Sequence, residues 1–391
     1  MTRVAVIHHG FVPHYRVRFY ELLNRVGEIE YVVVHGPPPP GLGSVAADGP
    51  FAFPNIAVRH HELRLPRRTA IYQSLAPVLR EGFDAVVLGT HLLFLSNHLA
   101  FAHFKARGRP VLYWGHGREL AEPGLKSRLA RLADGYLAYT EGGAAWLARQ
   151  GVPAEQITVV RNTLDMDEQI ELHARLEHLD DLALRRELGL RPDTTVLLFL
   201  GRMYPAKGVP QLVEAFRRLR SRGAAVELAL IGGGPSLADV RAAADGVPGV
   251  HVTGELRDQE RIARWLRAAA AVVIPGSVGL GVNHALAHGT PVITRAGARH
   301  APEIEYVETG VNGLVVQGGL EDFVSALAAF VESPAEQRHL AAGALASRAA
   351  LGLAPMVEAF DRGVRAALSA RRASVPRRGR AARALRQTAR S

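Results

Sequence analysis

The sequence predicts two α/β domains in tandem, each a Rossmann-like parallel sheet, facing one another across a cleft. Three features of the chain carry this. At 391 residues it is long for a single core of ordinary size. Short apolar runs alternate with longer helical patterns through both halves, as parallel sheets require. Residues 164–193 are acidic, helical in pattern and without a strand candidate, which puts the junction there.

The elements follow in order. In the first domain, 1–163, the strand candidates are 3–8, 30–35, 85–88, 111–114, 135–139 and 157–161. In the second, 194–352, they are 195–200, 227–231, 250–253, 271–274, 291–294 and 313–316. Helical spacing of apolar residues recurs between them, as at Val213, Phe216 and Leu219, and the same period at Met356, Phe360 and Val364 marks a C-terminal helix over 353–370. The stretch 36–50, with five prolines and no apolar period, reads as a loop.

Composition narrows the class. Apolar residues are 48% and charged residues 21% of the chain, the profile of a soluble globular protein. The longest apolar stretches are strand-sized, below the roughly 18 residues of a spanning helix, and the apolar run after Arg3 is too short for a secretory leader. With no cysteine, disulfides, thiolate metal sites and thiolate nucleophiles are excluded. A cytoplasmic protein is expected. The net charge of +10 is uneven: residues 371–391 hold eight arginines and no acid, which leaves +2 on the rest. That segment reads as a disordered tail or as a polybasic arm for an anionic membrane surface such as the inner face. No nucleic-acid fold signature accompanies it, so specific nucleic-acid binding is not expected.

Ligands of parallel sheets collect beyond the carboxyl ends of the strands, so the residues following each strand are the ones to examine. After 195–200 come Gly201, Arg202 and Lys207 in a turn with Pro205 and Gly208. Two cations in one strand–helix loop suit a diphosphate, and two solvated loop cations are the plain alternative. After 227–231 stand Gly232, Gly233 and Gly234, which permit close ligand approach or merely a tight turn. They do not form GxGxxG, so a dehydrogenase is disfavoured. After 271–274 the glycine-rich run Gly276, Ser277, Val278, Gly279 and Leu280 leads into a helix that ends at Gly289 and carries His284. Free amides at 278–280 would make an anion site.

In the first half Gly10 follows the first strand, and His14, Tyr15 and Arg16 open the next helix. Arg16 could hold an acidic acceptor or simply sit at a surface helix start. His116 lies between two glycines after 111–114, where the plain alternative is packing on Trp114. Asp165-Met166-Asp167 spells D-x-D, but it opens a helix, where a capping acid is expected and no metal. Glu303 is either a cleft carboxylate or a helix-start acid.

Taken together, GRMYPAKG, LIGGGP, HVTGEL and PGSVGLGVNHALAHGTPVI, preceded by HHGFVPHYR, YWGHG and ITVVRNTLD, resemble the retaining glycosyltransferases of the family-4 (group 1) type with the GT-B fold, over about residues 1–370. The resemblance implies that Arg202 and Lys207 hold the diphosphate of a nucleoside diphosphate sugar. It places Gly10 beside donor phosphates and acceptor, Leu256 near the base, and His116 opposite the donor sugar as an aid to the transition state. It implies a junction role for Asn162 and no metal or other cofactor. One departure is plain. The family carries two glutamates separated by seven residues around the glycine loop, and Gly276 and His284 stand at those positions. A neutral His284 imidazole can still bond a ribose hydroxyl, whereas the sugar must be held by backbone amides, by Ser277 or from elsewhere. The implied reaction is sugar transfer with retention to a hydroxyl of a glycan or lipid-linked acceptor, in cell-envelope or polysaccharide biosynthesis. A sugar-nucleotide 2-epimerase and a non-catalytic sugar-nucleotide-binding subunit are the alternatives.

Overall fold

The computed structural model describes residues 1–8, 10–37, 46–47, 49–65, 68–117 and 124–374. The chain forms two compact units, one of Met1–Val160 with the chain from Val357 onward, the other of Arg161–Met356.

The first unit contains β1 (Thr2–Ile7), β2 (Ile29–His35), β3 (Asn55–Ala57), β4 (His60–Leu65), β5 (Arg68–Gln73), β6 (Ala85–Gly89), β7 (Val111–Gly115), β8 (Gly135–Ala138) and β9 (Ile157–Val159). Seven of them form a sheet in the order β3-β2-β1-β6-β7-β8-β9, and every pair in it is parallel. The central strands are apolar throughout because helices cover both faces. Val86, Leu88, Val111 and Tyr113 pack with Phe83 and Phe104 in one core. The antiparallel pair β4–β5 stands apart from that sheet. Neither this hairpin nor β3 is visible in the sequence pattern: β4, HHELRL, carries few apolar residues to betray a strand.

The second unit contains β10 (Thr195–Leu200), β11 (Val226–Ile231), β12 (Val250–Gly254), β13 (Ala271–Ile274), β14 (Val292–Arg295) and β15 (Gly313–Val316). Their order is β12-β11-β10-β13-β14-β15, the doubly wound arrangement that reverses direction between its first and fourth strands in sequence. β10 therefore lies beside β13, and the loops that follow these two strands flank the switch point. In the first unit the same reversal falls between β1 and β6.

Residues 164–193 hold the helices Met166–Leu176 and Asp181–Glu187. Leu172 and Leu176 pack on Ala263 inside the second unit. Asp165 caps the first of these helices, its Oδ1 accepting the Glu168 amide at 3.2 Å, which is what a D-x-D at a helix start does when it serves as a cap. The C-terminal helix is Leu353–Ser374, so Arg371 and Arg372 are helical, and the Arg371 Nε donates to the Gly108 carbonyl at 2.8 Å. The rest of the basic segment, 375–391, and most of the 36–50 loop lie outside the described residues. Pro334–Ala373 is apolar and long enough to cross a membrane by composition. It is divided, however, into the helices Pro334–Ser347 and Leu353–Ser374, and Leu340, Ala344, Met356 and Phe360 are core residues at 0–1% exposure.

Candidate donor site

The site is built from the loops after β10 and β13. Gly201, just beyond β10, takes φ +143°, and Gly232, just beyond β11, takes φ +146°. A Cβ on Gly232 would lie 1.9 Å from the Gly201 carbonyl oxygen, and one on Gly234 2.4 Å from that of Met203. Two of these glycines are therefore dictated by loop-on-loop packing. Gly233, which has no positive φ, is half-buried like Gly232. Leu256 is half-buried in the loop after β12.

The turn Pro205–Lys207 and the Gly276 loop are laced together. The Ser277 amide donates to the Ala206 carbonyl at 2.8 Å, and a Cβ on Gly276 would stand 2.2 Å from that carbonyl oxygen and 2.6 Å from the Lys207 carbonyl carbon. This is why glycine occupies position 276: no side chain fits while the two loops hold this register. Lys207 is 9% exposed, with its Nζ donating to the Ser277 carbonyl at 2.5 Å. Burial pushes its ammonium down to about 8, with the Glu303 carboxylate pulling the other way. Arg202, by contrast, is exposed.

The helix Gly281–Ala287 starts where a Gly281 Cβ would be 3.2 Å from the Leu200 carbonyl, at the carboxyl end of β10. Ahead of it, the amides of Gly279 and Leu280 have no acceptor among the described residues, and the Cβ position of Gly279 is 3.8 Å from the Lys207 Nζ. The Lys207 ammonium thus lies beside a turn that carries two open amides, groups of the kind an oxyanion site uses. The expectation for Val278 needs correction. Its amide is not free, since it donates to the His300 Nδ1 at 3.3 Å. His284 is half-buried in the helix and helps depress the neighbouring His288.

Beneath this site, Glu303 is 2% exposed and accepts a short bond from the Asn162 Nδ2. The Asn162 amide donates to the Tyr306 hydroxyl at 2.8 Å, and the Asn283 Nδ2 to the Thr163 Oγ1 at 3.1 Å. Glu303 is therefore a helix-start acid, in the first turn of Pro302–Tyr306, and it is buried within a polar network.

In the first unit, Gly10 takes φ +76°, and the His60 ring of β4 lies 3.5 Å from its Cβ position. His14 is exposed at the start of helix His14–Arg25. Arg16 is not at the surface: it is 3% exposed, with its guanidinium 5.0 Å from the Trp114 ring centroid and 5.4 Å from that of Tyr15. His116 is exposed after β7, its ring edge-on to that of Tyr139 at 5.0 Å.

Two α/β units with parallel sheets, the second with a buried lysine and a glycine-rich loop at its switch point, define the GT-B class of glycosyltransferase folds. The solved structure of sucrose-phosphate synthase from Thermosynechococcus elongatus superposes with a TM-score of 0.69 at 18% identity, over 95% of this chain and 100% of that one. Anabaena HepE, solved in complex with UDP, does so with a TM-score of 0.67 at 16% identity, over 93% and 100%. In sequence, residues 194–333 match the family described as "Glycosyl transferases group 1", and residues 31–168 match "Glycosyltransferase Family 4". The chain belongs to this group 1, family-4 set of glycosyltransferases. A D-inositol 3-phosphate glycosyltransferase of Streptosporangium roseum is 38% identical over 192 residues, 44% of this chain and 42% of that protein. The chain spans about half the length of the curated relatives it matches, from 39% to 56% among those of Kribbella flavida and Nocardiopsis dassonvillei.

Proposed function

We propose that the protein transfers a sugar from a nucleoside diphosphate sugar to a hydroxyl of a glycan or lipid-linked acceptor, with retained anomeric configuration, in cell-envelope or polysaccharide biosynthesis. The observation that carries this reading is the Lys207 ammonium beside Gly279, in a turn where the Gly279 and Leu280 amides are open, at the β10–β13 switch point. As the glycosidic bond breaks, negative charge grows on the departing diphosphate, and fixed donors aimed at that charge lower the barrier most. Arg202, exposed on the same β10 loop, adds its fork to an outer phosphate oxygen. Retention fits a front-face route in which the leaving phosphate takes the acceptor proton, and His116 steadies the sugar. Family relatives named for D-inositol 3-phosphate put phosphorylated polyols first among the acceptors to screen. Lys207→Ala is expected to lower turnover at least about 100-fold, the scale of losing one such donor, with the thermal midpoint little changed. Near-full turnover would overturn the reading. Donor incubated without acceptor separates transfer from epimerisation, and the product's anomeric proton coupling tests retention.

An anionic membrane surface is the proposed working place. On helix Leu125–Leu132, Leu125 and Leu132 are 57% and 59% exposed, and Lys126, Arg128 and Arg131 share that helix. Exposed leucines among cations suit a headgroup layer, and the arginines of 375–391 add charge. The full chain should sediment with phosphatidylglycerol-containing vesicles and not with neutral ones, and 0.5 M salt or truncation after Ser374 should weaken this. Equal binding to neutral vesicles would refute it.

A further inference from the structure

The loop 275–278 is anchored at every main-chain polar group of Ser277 and Val278. The Ser277 amide donates to Ala206 and its carbonyl accepts from Lys207. The Val278 amide donates to the His300 Nδ1 at 3.3 Å, and the Val278 carbonyl accepts from the Ala301 amide at 3.4 Å. The next two amides, Gly279 and Leu280, are the open ones. His300 lies in the loop after β14 and is fixed from its other side, its Nε2 donating to the Arg295 carbonyl at 2.7 Å. With the proton on Nε2, Nδ1 presents a lone pair to Val278, so the two bonds together define one tautomer. The imidazole thus ties the loop after β13 to the end of β14.

We propose that His300 is a positioning residue of the donor site: its neutral imidazole holds the Val278 amide and thereby orients the Gly279 and Leu280 amides toward the diphosphate. This rests on the donor-site reading above. It also answers what the Gly276 loop lacks. With no room for a side chain at 276, the loop is shaped from outside by an imidazole twenty-two positions beyond Val278. Among the charged groups, Lys207 acts on the imidazole directly, Glu303 acts on Lys207, and the Arg295 side chain turns away to the Gly318 carbonyl. Burial holds His300 below the ordinary histidine range, Lys207 adds to this, and the bond to Arg295 opposes it. The acceptor form therefore persists through neutral pH and is lost on acidification, when an N–H would face the Val278 N–H.

The test is calorimetric titration of the full chain with UDP and with GDP, for wild type, His300→Ala, His300→Asn and Lys207→Ala, from pH 7.5 to 5.5. Asparagine can present its Oδ1 where the Nδ1 now stands. His300→Ala should weaken binding about five- to ten-fold, the worth of one ordered hydrogen bond, with His300→Asn within about twofold of wild type. Relative to His300→Asn, which cancels titration of the nucleotide itself, wild-type affinity should fall as the pH drops. A mere electrostatic neighbour of the phosphates would do the opposite, gaining affinity as the imidazolium forms, and that result would overturn the proposal. So would wild-type affinity in His300→Ala. If Lys207→Ala weakens binding and His300→Ala does not, this inference alone fails. If wild type binds neither nucleotide, the donor-site reading fails and takes this one with it.

Discussion

Lys207 shows how a single buried cation sets the pH range of a site. Its ammonium is nearly enclosed, so burial disfavours the charged form and brings the pKa to about 8, while Glu303 keeps it from falling further. An anion is attracted only by the protonated form. As pH rises through about 8 the proton leaves, so affinity for a nucleoside diphosphate should drop by up to tenfold per pH unit above that point. Replacing the residue by arginine, which stays charged there, should remove the decline even if the longer fork binds less well. Nucleotide titrations from pH 6.5 to 9.5 check this, and parallel curves for the two proteins would show that another group is responsible. The same residue exposes a limit of sequence reading. Arg202 and Lys207 are equivalent cations in the motif, yet one is exposed and the other is buried against the Ser277 carbonyl. Nothing in the spacing distinguishes them, because the difference arises from a loop some seventy residues away. Gly276 is similar: its sequence reports a missing glutamate, and only the 2.2 Å approach of the Ala206 carbonyl gives the steric reason.

At the scale of elements, the paired sheets were legible because parallel strands covered on both faces are apolar runs with turn signals at either end. The run TVLLFL, for example, is β10 from its first residue to its last. The hairpin β4–β5 escaped because HHELRL and RTAIYQ carry too few apolar residues to stand out. Its His60 nonetheless packs over Gly10 and Gly36. His300 escaped for a different reason: a histidine in a loop carries no periodic signal, and its value lies in a contact made across the chain. The helix Gly281–Ala287 makes a further prediction. At its C-cap, His288 is 4% exposed, bonded through Nε2 to the Gln169 Oε1 at 3.2 Å, with its ring 5.8 Å from that of His173. Burial, with His173, His284 and Arg348 adding to it, pushes its pKa down to about 3. The folded imidazole thus stays neutral where the unfolded one, near 6.5, takes up a proton. Below pH 6.5 the unfolded state binds more protons, so stability must fall with pH, and the loss continues toward pH 3. Between about pH 7 and 5 this single site should cost about 2 kcal/mol. Urea unfolding of wild type and His288→Gln at both pH values measures it. An equal pH dependence in the two proteins would show that His288 has no part in it.

At the scale of the whole chain, the last helix returns to the unit that contains the first residues, and this makes one half of the protein depend on its far end. Phe360 is fully buried, with its ring 5.4 Å from Phe19, 5.9 Å from Tyr31 and 5.1 Å from Trp114. One residue on, the Tyr31 hydroxyl donates to the Asp361 Oδ1 at 2.7 Å, and Arg365 bonds the other oxygen of that carboxylate. The first sheet and the Arg16–Trp114 stack therefore complete their packing only when residues beyond 353 are present. The contacts concerned are among the longest-range in the chain, so their loop-closure cost falls late in folding. Phe360→Ala removes a large ring from a filled core, a change that costs about 3–5 kcal/mol. Because the ring packs within the first unit, that loss should be confined there. In denaturant, the fluorescence of Trp114 and Trp146 should change at a lower concentration than in wild type, while nucleotide binding by the second unit persists to the wild-type midpoint. The internal control is Trp265, which lies in the second unit and should keep its original transition when it is the sole tryptophan. If both transitions move together by the same amount, the two units unfold as one cooperative body and the C-terminal helix serves the entire molecule instead of its first half.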